Sequence, residues 1–160
     1  MRRKYAGLAF ALSLLIVGAL VSLQGSAAPA PAQDPLVGTW NLTGTNPNYP
    51  FIAVMSFNLG GTTVEYDSQG TNSSTAESID LGKWRKTGNL AYTFKQQNYV
   101  YDTSGNLSLI GIASCDLTLA STRASFSDTC AVNFYNCSLS SCPGSLVSGP
   151  TTVTATGTRF

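Results

Sequence analysis

Glu65 and Asp67 are the pair best spaced for acid–base chemistry, because alternate residues of a strand share one face. Their setting beside the Ser/Thr/Asn-rich stretch 68–78 predicts a solvated face near a loop instead. The chain has no histidine, so Ser-His-Asp and Cys-His nucleophiles are excluded and no enzymatic activity is expected. Four cysteines, Cys115, Cys130, Cys137 and Cys142, fall in the last third. With no histidine and no Cys-x2-Cys spacing they do not read as a zinc site, and no metal or other cofactor is expected. An even count in an exported chain reads as two disulfides. Three pairings are open. Cys115–Cys130 and Cys137–Cys142 are favoured, because the first two flank a turn centred between Thr122 and Arg123 and the second pair closes a short loop. Asp102-x-x-Gly105-Asn106 lacks the alternating acids of a calcium loop and reads as a turn whose aspartate bonds its own backbone. Sequons at Asn41, Asn72, Asn106 and Asn136 arise by accident in so Ser/Thr-rich a chain.

Export is what the amino terminus implies. Arg2, Arg3 and Lys4 precede an uncharged run from Tyr5 to Leu23 and then an Ala/Pro tract, the order of a secretory signal. Residues 1–32 are therefore expected to be removed, by cuts that fit after Ala27 or Ala32, leaving 33–160 as one domain in the periplasm or outside the cell. An uncleaved anchor is the alternative. The remaining chain carries six basic and eight acidic residues, a net charge of −2. Its one basic cluster, Lys83-Arg85-Lys86, flanks a tryptophan, so nucleic acid is excluded as a partner and membrane contact is assigned to the leader alone. Oligomeric state is not fixed by the sequence.

These residues must be positioned by strands. Eight segments separated by turn chemistry emerge: 36–43, 51–59, 62–67, 79–86, 90–101, 107–119, 124–135 and 151–159. In the last, Thr152, Thr154, Thr156 and Thr158 share one face, while Val153, Ala155, Gly157 and Arg159 share the other. The threonines should see water, which turns Arg159 inward, where an unpaired charge is costly. Asp128 falls on an apolar face and predicts a bulge or a satisfied carboxylate. A short echo links Gly38-Thr39-Trp40-Asn41-Leu42-Thr43-Gly44 with Gly82-Lys83-Trp84-Arg85-Lys86-Thr87-Gly88, identical at four of seven positions. Each copy offers glycine for close backbone approach and tryptophan to plug the core.

Gly38-x-Trp40 on the first strand and Arg159 on the last resemble the lipocalin and avidin superfamily of calycin barrels. The resemblance implies an all-β, antiparallel, up-and-down eight-stranded barrel. It further implies that Gly38, Trp40 and Arg159 are structural, with the guanidinium stacked on the indole to close one end. No Thr-Asp-Tyr motif is present, and the avidin binding residues have no counterparts.

A barrel of this size is either filled by side chains or holds one small ligand. The inward set is Met55 and Phe57 (with Phe51 and Ala53), Tyr92 and Phe94, then polar Gln96 and Asn98. Met55, Phe57, Tyr92, Phe94 and Gln96 form the candidate interior site for a small apolar or amphipathic ligand. The loop 44–50 takes the place of a lid. Three other readings are a filled barrel acting as a surface or protein-interaction module, a small outer-membrane barrel, and a two-sheet sandwich.

Overall fold

The computed structural model describes residues 33–47, 49–68 and 76–160. The expected leader, 1–32, lies outside the described residues, as does most of the polar stretch after Ser68. Nine strands follow in order: β1 (Gly38–Asn46), β2 (Tyr49–Phe57), β3 (Thr62–Asp67), β4 (Ala76–Glu77), β5 (Asp80–Lys86), β6 (Ala91–Tyr101), β7 (Leu107–Leu119), β8 (Ser125–Asn136) and β9 (Leu146–Arg159). All pairings are antiparallel. β3 pairs with β5, and short β4 pairs with β6 beyond the end of β5, so β4 and β5 form one interrupted stave. Ser78 bridges the break: its N–H donates to the Tyr99 carbonyl at 2.8 Å and its Oγ accepts the Tyr99 N–H at 2.9 Å. β1 closes on β9 from Trp40↔Arg159 to Thr45↔Thr154. The result is a closed up-and-down barrel of eight staves, which leaves no long sheet edge to pair with another chain.

One half of the barrel is filled, and we call its end the closed end. Trp40 is fully buried, its indole N–H donates to the Leu36 carbonyl at 2.9 Å, and Phe126 meets it edge-on at 5.1 Å. Trp84 stacks edge-on against Phe57 and Tyr92 and donates to the Asn58 carbonyl at 3.0 Å. The two halves of the sequence echo thus plug the same end. Arg159 lies over Trp40 with Cζ 4.4 Å from the ring centroid, and it donates to the Val37 carbonyl at 3.2 Å and to the Pro35 carbonyl. It does not enter the core. Arg159 is exposed and crosses the floor from outside, so its charge stays in water.

The echoed glycines have a steric reason. A Cβ on Gly38, which has φ +140°, would lie 2.7 Å from the Arg159 Nη1. One on Gly82 would lie 2.2 Å from the Lys95 carbonyl, a backbone atom that moves only if β5 leaves β6. Gly82→Ala is therefore expected to cost about 1–3 kcal/mol, read as a lower urea midpoint. Gly60→Ala, which meets nothing within 4 Å, is the control. Equal midpoints would refute the close approach.

Both favoured disulfides are present: Cys115 and Cys130 sit directly opposite across β7 and β8, and Cys137–Cys142 closes its short loop. Two expectations need correction. The 44–50 lid is absent, because β1 runs on to Asn46 and β2 starts at Tyr49, with Gly44↔Phe51 and Thr45↔Pro50 paired. Phe51 lies across Gly44, and β9 holds the other side through Thr45↔Thr154. β9 begins at Leu146 rather than 151, because its first residues follow β8 past two irregularities, between Val132 and Phe134 and between Phe134 and Tyr135. Of the two alternatives expected at Asp128, a bulge or a satisfied carboxylate, the structure shows the second: it accepts the Ala155 N–H at 3.1 Å.

Candidate functional site

The open half of the barrel holds a cavity of about 280 Å³. Its apolar wall comes from Leu42, Phe51, Val132, Phe134, Val153 and Ala155. Five carboxylates line it as well: Glu65 and Asp67 of β3, Glu77 of β4 and Asp80 of β5 on neighbouring strands, and Asp128 of β8 within the apolar wall, opposite Ala155. Asn46 of β1 and Asn98 of β6 complete the polar lining. No lysine or arginine lines it.

Register explains why acids point inward. The β2–β3 hairpin, closed by the Asn58 N–H on the Thr62 carbonyl at 2.9 Å, sets Met55 opposite Glu65 and Ala53 opposite Asp67. Residues directly opposed across a ladder share a face, and Met55 and Ala53 are buried. Glu65 is in turn opposite Asp80 on β5. The expectation that Glu65 and Asp67 form a solvated face is therefore wrong. Thr62, Val64 and Tyr66 are the exposed residues of that strand.

Hydrogen bonds fix some of these groups. Gln96 Nε2 donates to Glu65 Oε2 at 3.1 Å, and Asn98 Nδ2 donates to Glu77 Oε2 at 2.8 Å. Burial raises the Glu65 pKa to about 8, aided by Asp80, Asp67 and Asp128 and opposed by Gln96. Burial, then Asp67 and Glu77, raises Asp80 to about 7. Burial also lifts Asp128 to about 7 against the pull of the Ala155 N–H, and lifts Glu77 together with Asp67 against Asn98. Near neutral pH the cavity therefore holds protons that an entering cation would displace.

Charge is segregated along the barrel. Lys83, Arg85, Lys86, Lys95 and Arg159 lie on strand positions beside the filled core, and Arg123 lies in the turn between β7 and β8 at the closed end. Asp34 and Asp116 are the acids there. Asp34 takes the Lys86 ammonium at 3.0 Å and the Tyr92 hydroxyl at 2.8 Å. Glu65, Asp67, Glu77, Asp80 and Asp102 occupy the other half, where no basic residue stands among the described residues, and Asp128, opposite Leu117 of the packed core, lies at the border between the two. Asp102 accepts the N–H groups of Ser104 and Asn106 at 2.8 and 2.9 Å, a self-bonded turn.

Of the interior residues singled out from sequence, Met55, Phe57, Tyr92 and Phe94 are all buried in the packed core of the closed half. None of them lines the cavity. Gln96 reaches it indirectly, through Glu65. Sequence reasoning missed Glu77 and Asp80, and the misplaced Asp128 was the one signal of an acid interior.

The fold and site define a closed eight-stranded antiparallel barrel with an acid-lined cavity, compatible with a calycin-like architecture. No protein-family model, curated protein or solved structure matches the chain.

Proposed function

We propose that this is an exported, non-catalytic barrel of the lipocalin or avidin kind that carries a small amphipathic cation, an amine joined to an apolar body, in its open half. The observation that carries the reading is a cavity walled by five carboxylates and no cation. Asp128 is the clearest case. It is 6% exposed and aimed into the cavity, and a single backbone N–H is its donor among the described residues. A buried acid without a counter-charge is costly, and a ligand ammonium supplies that charge. The apolar wall of β1, β2, β8 and β9 around Asp128 takes the rest of the molecule. At about 280 Å³ the space lies near the lower end of ligand sites, roughly 300–1,000 Å³, so the ligand is small.

Calorimetric titration with phenethylamine, phenethyl alcohol and phenylpropionate tests this reading. The amine should bind tightest, and Asp80→Asn with Asp128→Asn should weaken it about 10–100-fold, the loss of one or two charge-assisted contacts. Affinity should also rise with pH as the acids ionise. Equal binding of the alcohol, or unchanged affinity in the double variant, would refute it. Catalytic use of these acids would appear as turnover abolished by Glu65→Gln, whereas carriage alters affinity alone.

A further inference from the structure

The outside of the barrel is two-sided. On β2, β3 and β5 the outward residues Ile52, Val54, Val64, Tyr66 and Leu81 are exposed, Ile52 by 66% and Tyr66 by 58%. They form one patch, because Val54 is paired with Tyr66 and Val64 with Leu81. Next along β5 and β6 come Lys83, Arg85 and Lys95, all exposed and pointing outward. No carboxylate occupies an outward position of β2, β3, β5 or β6, and the one acid beside the basic group is Asp116 of β7, opposite Thr93 at its margin, against three cations. The neighbouring staves differ: β1, paired with β2, turns Thr43 and Thr45 outward, Thr43 directly opposite Ile52, and β9 beyond it turns Thr152, Thr154, Thr156 and Thr158 outward.

We propose that the face formed by β2, β3, β5 and β6 lies on an anionic lipid surface. Charge complementarity carries the choice of occupant. Lys83 and Lys95 are directly opposed across the β5–β6 ladder, a like-charge placement that destabilises the sheet unless an anion offsets it. Apolar side chains beside such a basic group match a bilayer interface, where acyl chains lie beneath anionic headgroups. Tyr66 suits that boundary, with an apolar ring and a polar tip. A second copy of the chain would instead bring the same patch against itself and set one group of three cations, with a single acid at its margin, near another. The threonine side excludes a full apolar belt, so the barrel rests on the surface and does not span it. The sequence had confined membrane contact to the leader. This contact belongs to the folded wall and does not depend on the cavity.

Co-sedimentation of the purified protein with vesicles of phosphatidylcholine alone, or of equimolar phosphatidylcholine and phosphatidylglycerol, tests the proposal. Binding is expected to the mixed vesicles only, and it should fall steeply with added salt. Each basic residue near such a surface contributes about 1 kcal/mol, roughly fivefold, so K83E/K95E should weaken binding by about 25-fold or more. I52S/Y66S should weaken it as well. Circular dichroism should show both variants folded, since all four side chains are exposed. Equal binding to pure phosphatidylcholine, undiminished binding of folded K83E/K95E, or failure of the wild type to bind would overturn the proposal. So would a dimer at sedimentation equilibrium that I52S/Y66S dissociates, which would assign the face to a second copy.

Discussion

Heated without ligand, the protein should melt at a lower temperature as pH rises from about 5 to about 8.5, by on the order of 10 °C. Glu65, Asp80 and Asp128 hold their protons to about pH 8, 7 and 7, against ordinary values of 4.5, 3.8 and 3.8. Between the two sets of values the folded chain binds more protons than the unfolded one. Their contribution is thus complete below about pH 4 and is lost as pH climbs through 7 to 8. Asp34 works in the opposite direction. Its partial burial is outweighed by the Leu36 N–H, Lys86 and the Tyr92 hydroxyl, which hold its pKa down, so its contribution is lost on acidification. Greatest stability should therefore fall near pH 5, an unusually acid optimum. Calorimetric melting across this range checks it. The triple variant Glu65→Gln/Asp80→Asn/Asp128→Asn should flatten the slope, and a wild-type melting point that rises with pH would contradict the buried-acid account.

The second large effect is at the closed end. Trp40→Ala should cost about 3–5 kcal/mol, because a fully buried indole in edge contact with Phe126 leaves a void that neighbouring strands cannot fill. Arg159→Ala should cost only about 0.5–1 kcal/mol, since its cation–π contact with Trp40 is made in water. Urea unfolding of the two variants measures both. A larger loss for Arg159 than for Trp40 would mean that the guanidinium, and not the indole, holds the floor.

The closed end was legible in the sequence because its constraints are local and chemically distinctive. Gly38-x-Trp40 needs a bare backbone beside a large ring, and the alternation of Thr152 to Thr158 with Val153, Ala155 and Gly157 states which side of β9 meets water. The cavity was not legible, because β3 inverts the usual rule. Val64 and Tyr66 face out while Glu65 and Asp67 face in, and period-two alternation has no sign of its own. Only the hairpin register, passed from Met55 and Ala53, decides the phase. The 44–50 segment misled for a related reason. Asn46, Pro47 and Asn48 carry strong turn chemistry, yet pairing to β9 on the far side of β1 extends the strand through Thr45. Such tertiary support leaves no trace in a local window.

The division of charge gives the molecule an electric polarity, basic at the closed end and acidic in the cavity half, that deepens as Glu65, Asp80 and Asp128 ionise above about pH 7 to 8. In the field of an approaching ammonium ion such a body turns to present its opening, so fewer collisions arrive at the wrong side. Uptake should then be fast in dilute buffer and slower in concentrated salt, with the off-rate largely unaffected.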